Sequence, residues 1–115
     1  MFVGALLLLG TIQAGAPASD AANMADLRCV AILSAAVMRV PEAQRAGVQS
    51  GVMFFYGRIM GRTPGFDTEG RMIGMMKADP EGKSLAGDNM RCAKEMQDHG
   101  QKLMQMGKRM GAVAK

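Results

Sequence analysis

Residues 88–110, DNMRCAKEMQDHGQKLMQMGKRM, decide the fold because their apolar and polar side chains follow a helical period. One face collects residues spaced three or four apart: Cys92, Met96, His99, Leu103, Met106 and Met110. The opposite face holds charged side chains: Lys94, Asp98, Lys102, Lys108 and Arg109. The pattern predicts an amphipathic α-helix from about Leu85 or Asp88 to Met110.

Three further helices are predicted before it. The first begins at Asp20 and ends near Met38, because a proline at position 41 disfavours helix in the residue before it. The second follows that proline and runs to about Met60, since its apolar residues recur every three or four positions. A short third helix, residues 68–77, is capped by Asp67. No run of alternating β-branched residues predicts a β-strand, so we expect an all-α bundle of about four helices.

The second helix has two features that bear on packing. It carries four glycines in two small-xxx-small pairs: Gly47 with Gly51, and Gly57 with Gly61. Each glycine costs a helix about 1 kcal/mol relative to alanine, so we expect a neighbouring helix to approach closely there. The aromatic residues Phe54, Phe55, Tyr56 and Phe66 are expected to form the centre of the core.

The N-terminus has the layout of a secretory signal. Residues 2–12 are uncharged and largely apolar, and Ala14, Ala16 and Ala18 offer Ala-x-Ala cleavage sites. Cleavage after Ala18 divides the chain into a signal peptide, residues 1–18, and a single helical domain, residues 19–115. A permanent N-terminal anchor is the alternative, because no Lys or Arg precedes the apolar run.

The chain has two cysteines, Cys29 and Cys92, in the first and last predicted helices. An exported protein meets an oxidising compartment, in which one disulfide forms between them. Such a bridge would tie the two ends of the bundle together. Two buried free thiols are the alternative. A metal site on this pair is not expected, since the chain has no CxxC motif and only one histidine.

Signatures of catalysis and of nucleic-acid binding are absent from the sequence. It contains no phosphate-binding glycine loop, nucleophile elbow or metal-ligand motif. Glu95 and His99 lie four residues apart, which is more typical of local helix stabilisation than of proton transfer. The net charge of +4 is mild and scattered, so we expect no nucleic-acid partner and at most weak attraction to anionic surfaces.

Thirteen methionines in 115 residues are the most unusual feature of the composition. Methionine at helical spacing is typical of adaptable core filling, and it also suits apolar contact surfaces that accept many partners. Thioethers are soft ligands for Cu(I) or Ag(I), which makes a soft-metal site the alternative. Its ligands would come from this set: Met72, Met75, Met76, Met104, Met106 and Met110.

Several segments support a family resemblance. Cys29 in one helix, Phe55-Tyr-Gly-Arg-Ile-Met-Gly61 in the next and Cys92 in the last resemble the HdeA-like and related secretion-immunity families of periplasmic helical proteins with one disulfide. Residues 26–29, 41–47 and 61–67 are similar to small uncharacterised exported proteins of Gram-negative bacteria. The resemblance to HdeA implies a protein that holds unfolding clients under acid stress. Its acid-sensing carboxylates have no counterpart that we can align in this chain.

We therefore predict a non-enzymatic periplasmic protein, without a cofactor, that binds other proteins as a stress chaperone or inhibitor. Stable membrane insertion is not expected once the signal is cleaved, and a homodimer is compatible with the sequence. The rival hypothesis is the soft-metal binder.

Overall fold

The computed structural model describes residues 16–114, and this part of the chain is helical throughout its regular structure. The elements are α1 (Ala16–Val37), α2 (Glu42–Arg62), α3 (Thr68–Ala78), a 3₁₀ helix (Lys83–Asp88) and α4 (Asn89–Val113). The predicted all-α bundle of about four helices is confirmed. The signal peptide predicted for residues 1–18 lies almost entirely outside the described residues.

Local hydrogen bonds explain where the helices begin and end. Asp67 caps α3 as predicted, since its carboxylate accepts a hydrogen bond from the backbone N–H of Gly70 at 3.0 Å. The last α-helix begins later than Leu85 because Asp79 organises a 3₁₀ turn ahead of it. The Asp79 carboxylate accepts from the backbone N–H of Ser84 at 2.8 Å and from its hydroxyl at 2.6 Å.

The core lies mainly between α1 and α2, the pair of helices with the most extensive contact. Its buried apolar members are Leu27, Cys29, Val30, Phe55, Ile59 and Cys92. Cys29 and Cys92 form the predicted disulfide, with their Cα atoms 5.5 Å apart. This bond attaches α4 to the centre of α1.

The aromatic prediction is only partly right. Phe55 is fully buried, and Phe54 and Phe66 pack against the core from partly buried positions. Tyr56 is 37% exposed, because residue 56 lies on the face of α2 that turns away from α1. The core is therefore centred on one aromatic ring and on aliphatic side chains.

The glycine prediction holds at one position of the four. A Cβ built on Gly51 would lie 2.6 Å from Sδ of Met96 and 3.1 Å from Cδ1 of Leu33, so α1 and α4 both approach it closely. Gly47, Gly57 and Gly61 have open space around the same position, because they lie on faces of α2 that no neighbour covers. For these three the expectation of close helix packing is wrong.

Most described methionines do not fill the core, which corrects the expectation from the sequence. Met24, Met72, Met75 and Met96 pack against the core. The following are exposed: Met38, Met53, Met76, Met90, Met104, Met106 and Met110. The small core between α1 and α2 leaves one side of α3 and half of α4 without a neighbour.

Candidate functional site

A buried ionic network joins α1 to α2 and α4. Asp26, on α1, is 1% exposed. Its carboxylate accepts hydrogen bonds from both Arg58 and Arg62 of α2, with Nε of Arg58 at 3.1 Å and Nη2 of Arg62 at 3.3 Å. Arg58 also donates to Glu95 of α4 at 3.2 Å. Hydrogen bonding to Asp26 raises the pKa of Arg58 above its ordinary value.

A buried amide completes this network. Asn23, also 1% exposed, donates to the hydroxyl of Thr63 at 2.9 Å and accepts from Arg62 at 2.7 Å. A buried polar group without a partner is costly, and here both ends of the amide are satisfied. The arginines at positions 58 and 62 are four residues apart, so one face of α2 presents both to α1.

A second ionic cluster fixes the start of α4. Asp88 accepts from Nε of Arg28 at 2.6 Å and from Arg91 at 3.2 Å, and Arg91 also donates to the backbone carbonyl of Ala25 at 3.0 Å. The hydrogen bond from Arg28, assisted by Arg91, lowers the pKa of Asp88. Together with the disulfide, these contacts hold the first turns of α4 on α1.

These two clusters were not foreseen from the sequence, and their chemistry is structural. Their charges are paired and hydrogen-bonded, which is what permits Asp26 to be buried. Asn23 and Asp26 are three residues apart and precede the buried Leu27, which was the available signal for polar residues on the inner face of α1. Helical spacing alone could not have indicated which arginines would meet them.

An apolar surface lies across α2 and α3. We call it the α2–α3 surface and define it by its six apolar residues, Tyr56, Met60, Phe66, Met72, Ile73 and Met76; the charged residues Asp67, Glu69 and Lys77 line the same depressions. Two open depressions share Ile73 on this surface, one reaching α2 and the other reaching Pro80. Ile73 is 44% exposed and Met76 is 61% exposed. Thr68 lines the first depression, and its hydroxyl is the one buried side-chain polar atom within residues 16–114 that has no hydrogen-bond partner.

A second apolar surface lies on the end of α4. We call residues 101–114 the α4 tail, and every residue in it is exposed. The predicted apolar face is present, but the body of the protein covers only its first part, where Cys92 is buried and Met96 and His99 are half-buried. Beyond His99 the same face continues without a neighbour for more than three turns.

The residues predicted to carry chemistry are placed as follows. Met72 and Met75 pack against the core, Met76 is exposed on α3, and Met104, Met106 and Met110 are exposed on the α4 tail. The proposed soft-metal ligands are thus divided between two surfaces. Glu95 pairs with arginines rather than with His99, whose ring lies 4.9 Å from the ring of Phe54.

The geometry offers no other centre within the described residues. No group of three or more His, Cys, Asp or Glu side chains in residues 16–114 is placed to hold a metal ion. Among the described helices, none has the length and apolar character needed to cross a membrane. In comparisons with protein-family models, curated proteins and solved structures, none matches this chain.

Proposed function

We propose that this chain is a non-enzymatic periplasmic protein that binds apolar segments of other proteins, as a chaperone or an inhibitor, through the α2–α3 surface. The observation that carries the proposal is the exposure of Ile73 and Met76 beside two open depressions on that surface. Contiguous exposed apolar surface on a small protein is typical of a contact site for another protein.

The chemistry of the α2–α3 surface suits varied partners. Three of its six residues are methionines, whose flexible and polarisable side chains adapt to different shapes. Surfaces rich in methionine can repack around many ligands, which is a property of promiscuous binders. The depressions are open rather than enclosed, which favours an extended or helical protein segment over a small molecule.

Two contacts of Arg71 connect α3 to its neighbours. Arg71 of α3 pairs with Asp20 of α1 through two hydrogen bonds of 2.9 Å, and its guanidinium lies 5.3 Å from the centre of the Phe66 ring.

The disulfide between α1 and α4 supports a periplasmic location, because such bonds persist in oxidising compartments. The apolar run at the N-terminus supports export.

An aggregation assay with matched variants tests the proposal. We expect the wild-type protein to suppress aggregation of a client diluted from denaturant, and I73Q/M76Q to lose most of that activity. The control is M53Q/M90Q, which removes two exposed side chains outside the α2–α3 surface and should behave as wild type. Equal client aggregation with and without the wild-type protein, or full activity of I73Q/M76Q, contradicts the proposal.

A further inference from the structure

We propose that the α4 tail adsorbs to the surface of an anionic lipid bilayer, with its apolar face in the headgroup region and the two cations beside that face, Lys102 and Arg109, on the phosphates. This inference concerns a different surface from the α2–α3 surface and goes beyond the protein-binding function. The α4 tail would lie in the plane of the bilayer and would not cross it.

The apolar face of the tail is narrow and continuous. It consists of Leu103, Met106, Met110 and Val113, which are 65%, 47%, 64% and 86% exposed. At 100° per residue these four side chains fall within an arc of about 80° along about 15 Å of helix. An amphipathic helix with a strongly polar opposite face and such an apolar stripe is typical of binding at a membrane interface.

The charge of the tail selects an anionic surface. Lys102, Lys108 and Arg109 lie on the polar side of the helix, and no Asp or Glu follows Asp98 in the sequence. Lys102 and Arg109 border one edge of the apolar face, where long side chains can reach phosphates while the stripe stays buried. A basic amphipathic helix of this kind is the pattern expected at an anionic membrane.

The same charge argues against a second copy of the chain as the occupant. Pairing two tails would bring six cations together without a carboxylate from either tail. Each tail also offers only a narrow stripe of four apolar side chains, whereas a stable protein interface buries about 1,200–2,000 Å². An anionic bilayer offers negative charge for the cations and an apolar interior that can cover the whole stripe.

Two glycines lower the helix propensity of the tail, so adsorption to a surface would stabilise its helix. Gly107 and Gly111 lie within it, and no neighbouring atom comes within 4 Å of a Cβ built on either, so close packing in the folded chain does not require them. Glycine lowers helix propensity more than any residue except proline, and the tail, as the uncovered end of a longer helix, has no tertiary contacts that offset this cost. Adsorption would supply the contacts that the folded body does not.

Vesicle co-sedimentation of the purified protein tests this inference. Lys102 and Arg109, the two cations beside the apolar face, should raise partitioning to an anionic surface about thirtyfold over a neutral one. We therefore expect strong binding to vesicles of equal parts phosphatidylglycerol and phosphatidylcholine, and little binding to phosphatidylcholine alone. Raising the salt from about 0.1 M to about 1 M, which shortens the Debye length from about 10 Å to about 3 Å, should weaken that binding.

Three sets of substitutions in the tail separate its charge from its apolar face. K102Q/K108Q/R109Q should reduce binding to the level seen with phosphatidylcholine, and L103Q/M110Q should abolish it. Q101N/Q105N, on the opposite face, should bind as wild type. Because the whole tail is exposed, thermal unfolding of these variants should match wild type.

The inference is overturned by equal binding to the two vesicle types, by no binding to anionic vesicles, or by unchanged binding of L103Q/M110Q. The inference is also overturned if the protein binds an acidic amphipathic peptide but does not bind anionic vesicles. That result would assign the tail to a protein partner. The aggregation assay for the α2–α3 surface contains no lipid. The proposed protein-binding function and the proposed lipid adsorption can therefore be refuted independently of each other.

Discussion

Replacing Asp26 with asparagine should destabilise the fold far more than a surface substitution of the same kind. Asp26 is 1% exposed and is the shared acceptor for Arg58 and Arg62. Asparagine keeps the shape of the side chain but removes its charge, and its NH₂ group then faces guanidinium donors. The two arginines lose the carboxylate that neutralises them at the junction of α1 and α2.

The magnitude follows from the burial of each partner. Removing one member of a buried ion pair costs about 3–5 kcal/mol, because the other charge stays behind uncompensated. Both arginine side chains are 30% exposed, so water recovers part of that cost. We expect Asp26→Asn to lower the free energy of unfolding by about 2–3 kcal/mol, and the midpoint of thermal unfolding by about 10–20 °C.

Urea and thermal unfolding followed by circular dichroism measure this effect. Asp98→Asn is the matched control, because Asp98 is exposed and its pairing with Lys94 at 2.7 Å is a surface contact, so its midpoint should not move. Replacing Asn23 and Asp26 by leucine together with Arg58 and Arg62 by methionine should recover part of the loss, since neither an unpaired charge nor an unpaired buried amide remains. A wild-type midpoint for Asp26→Asn would refute the assignment of this carboxylate as the buried counter-ion.

Three further predictions concern the same fold. Reducing the disulfide, or replacing both cysteines by alanine, should lower the free energy of unfolding by about 4 kcal/mol in the chain-entropy account of a loop of 63 residues, and added reductant should have no effect on the alanine variant. The free energy of unfolding should fall in acid, because the pKa of Asp88 is lower in the folded than in the unfolded protein. The stabilisation by the Asp88 carboxylate is fully present above its unfolded pKa of 3.8, and it is lost as the pH falls through the pKa of Asp88 in the folded protein. Asp88→Asn should therefore flatten the acid side of a stability profile measured by urea unfolding, and an unchanged slope would argue against this pairing. Gly47→Ala should stabilise the protein by up to about 1 kcal/mol, whereas Gly51→Ala should not, because only the second meets neighbouring side chains; equal thermal midpoints would contradict the close packing at position 51.

The sequence predicted the regular structure well because its signals are local. The proline at position 41, the cap at Asp67 and the helical period of residues 88–110 each act within a few residues of the boundary they determine. The disulfide was also predictable, since two cysteines in a chain predicted to be exported leave one intramolecular pairing. These features needed no knowledge of which helices touch.

The sequence could not predict which helix faces are covered by neighbouring helices. The period of residues 88–110 identified α4 and its apolar face but not how much of that face is covered, and the rest of the protein covers only the part near Cys92. Three glycines of α2 proved to be uncovered for the same reason. The pairing of Asp26 with two arginines more than thirty residues away depends on the packing of α1 against α2, which local patterns do not specify.

Methyl NMR of protein labelled at the methionine methyl groups tests the central claim, that the α2–α3 surface is where client proteins bind. With the signals assigned by Met→Leu substitution, an unfolded client is titrated into the protein in the absence of lipid. We predict that the signals of Met60, Met72 and Met76 shift or broaden while those of Met104, Met106 and Met110 stay in place. Unchanged signals from Met60, Met72 and Met76 at client concentrations that saturate protection would contradict the account.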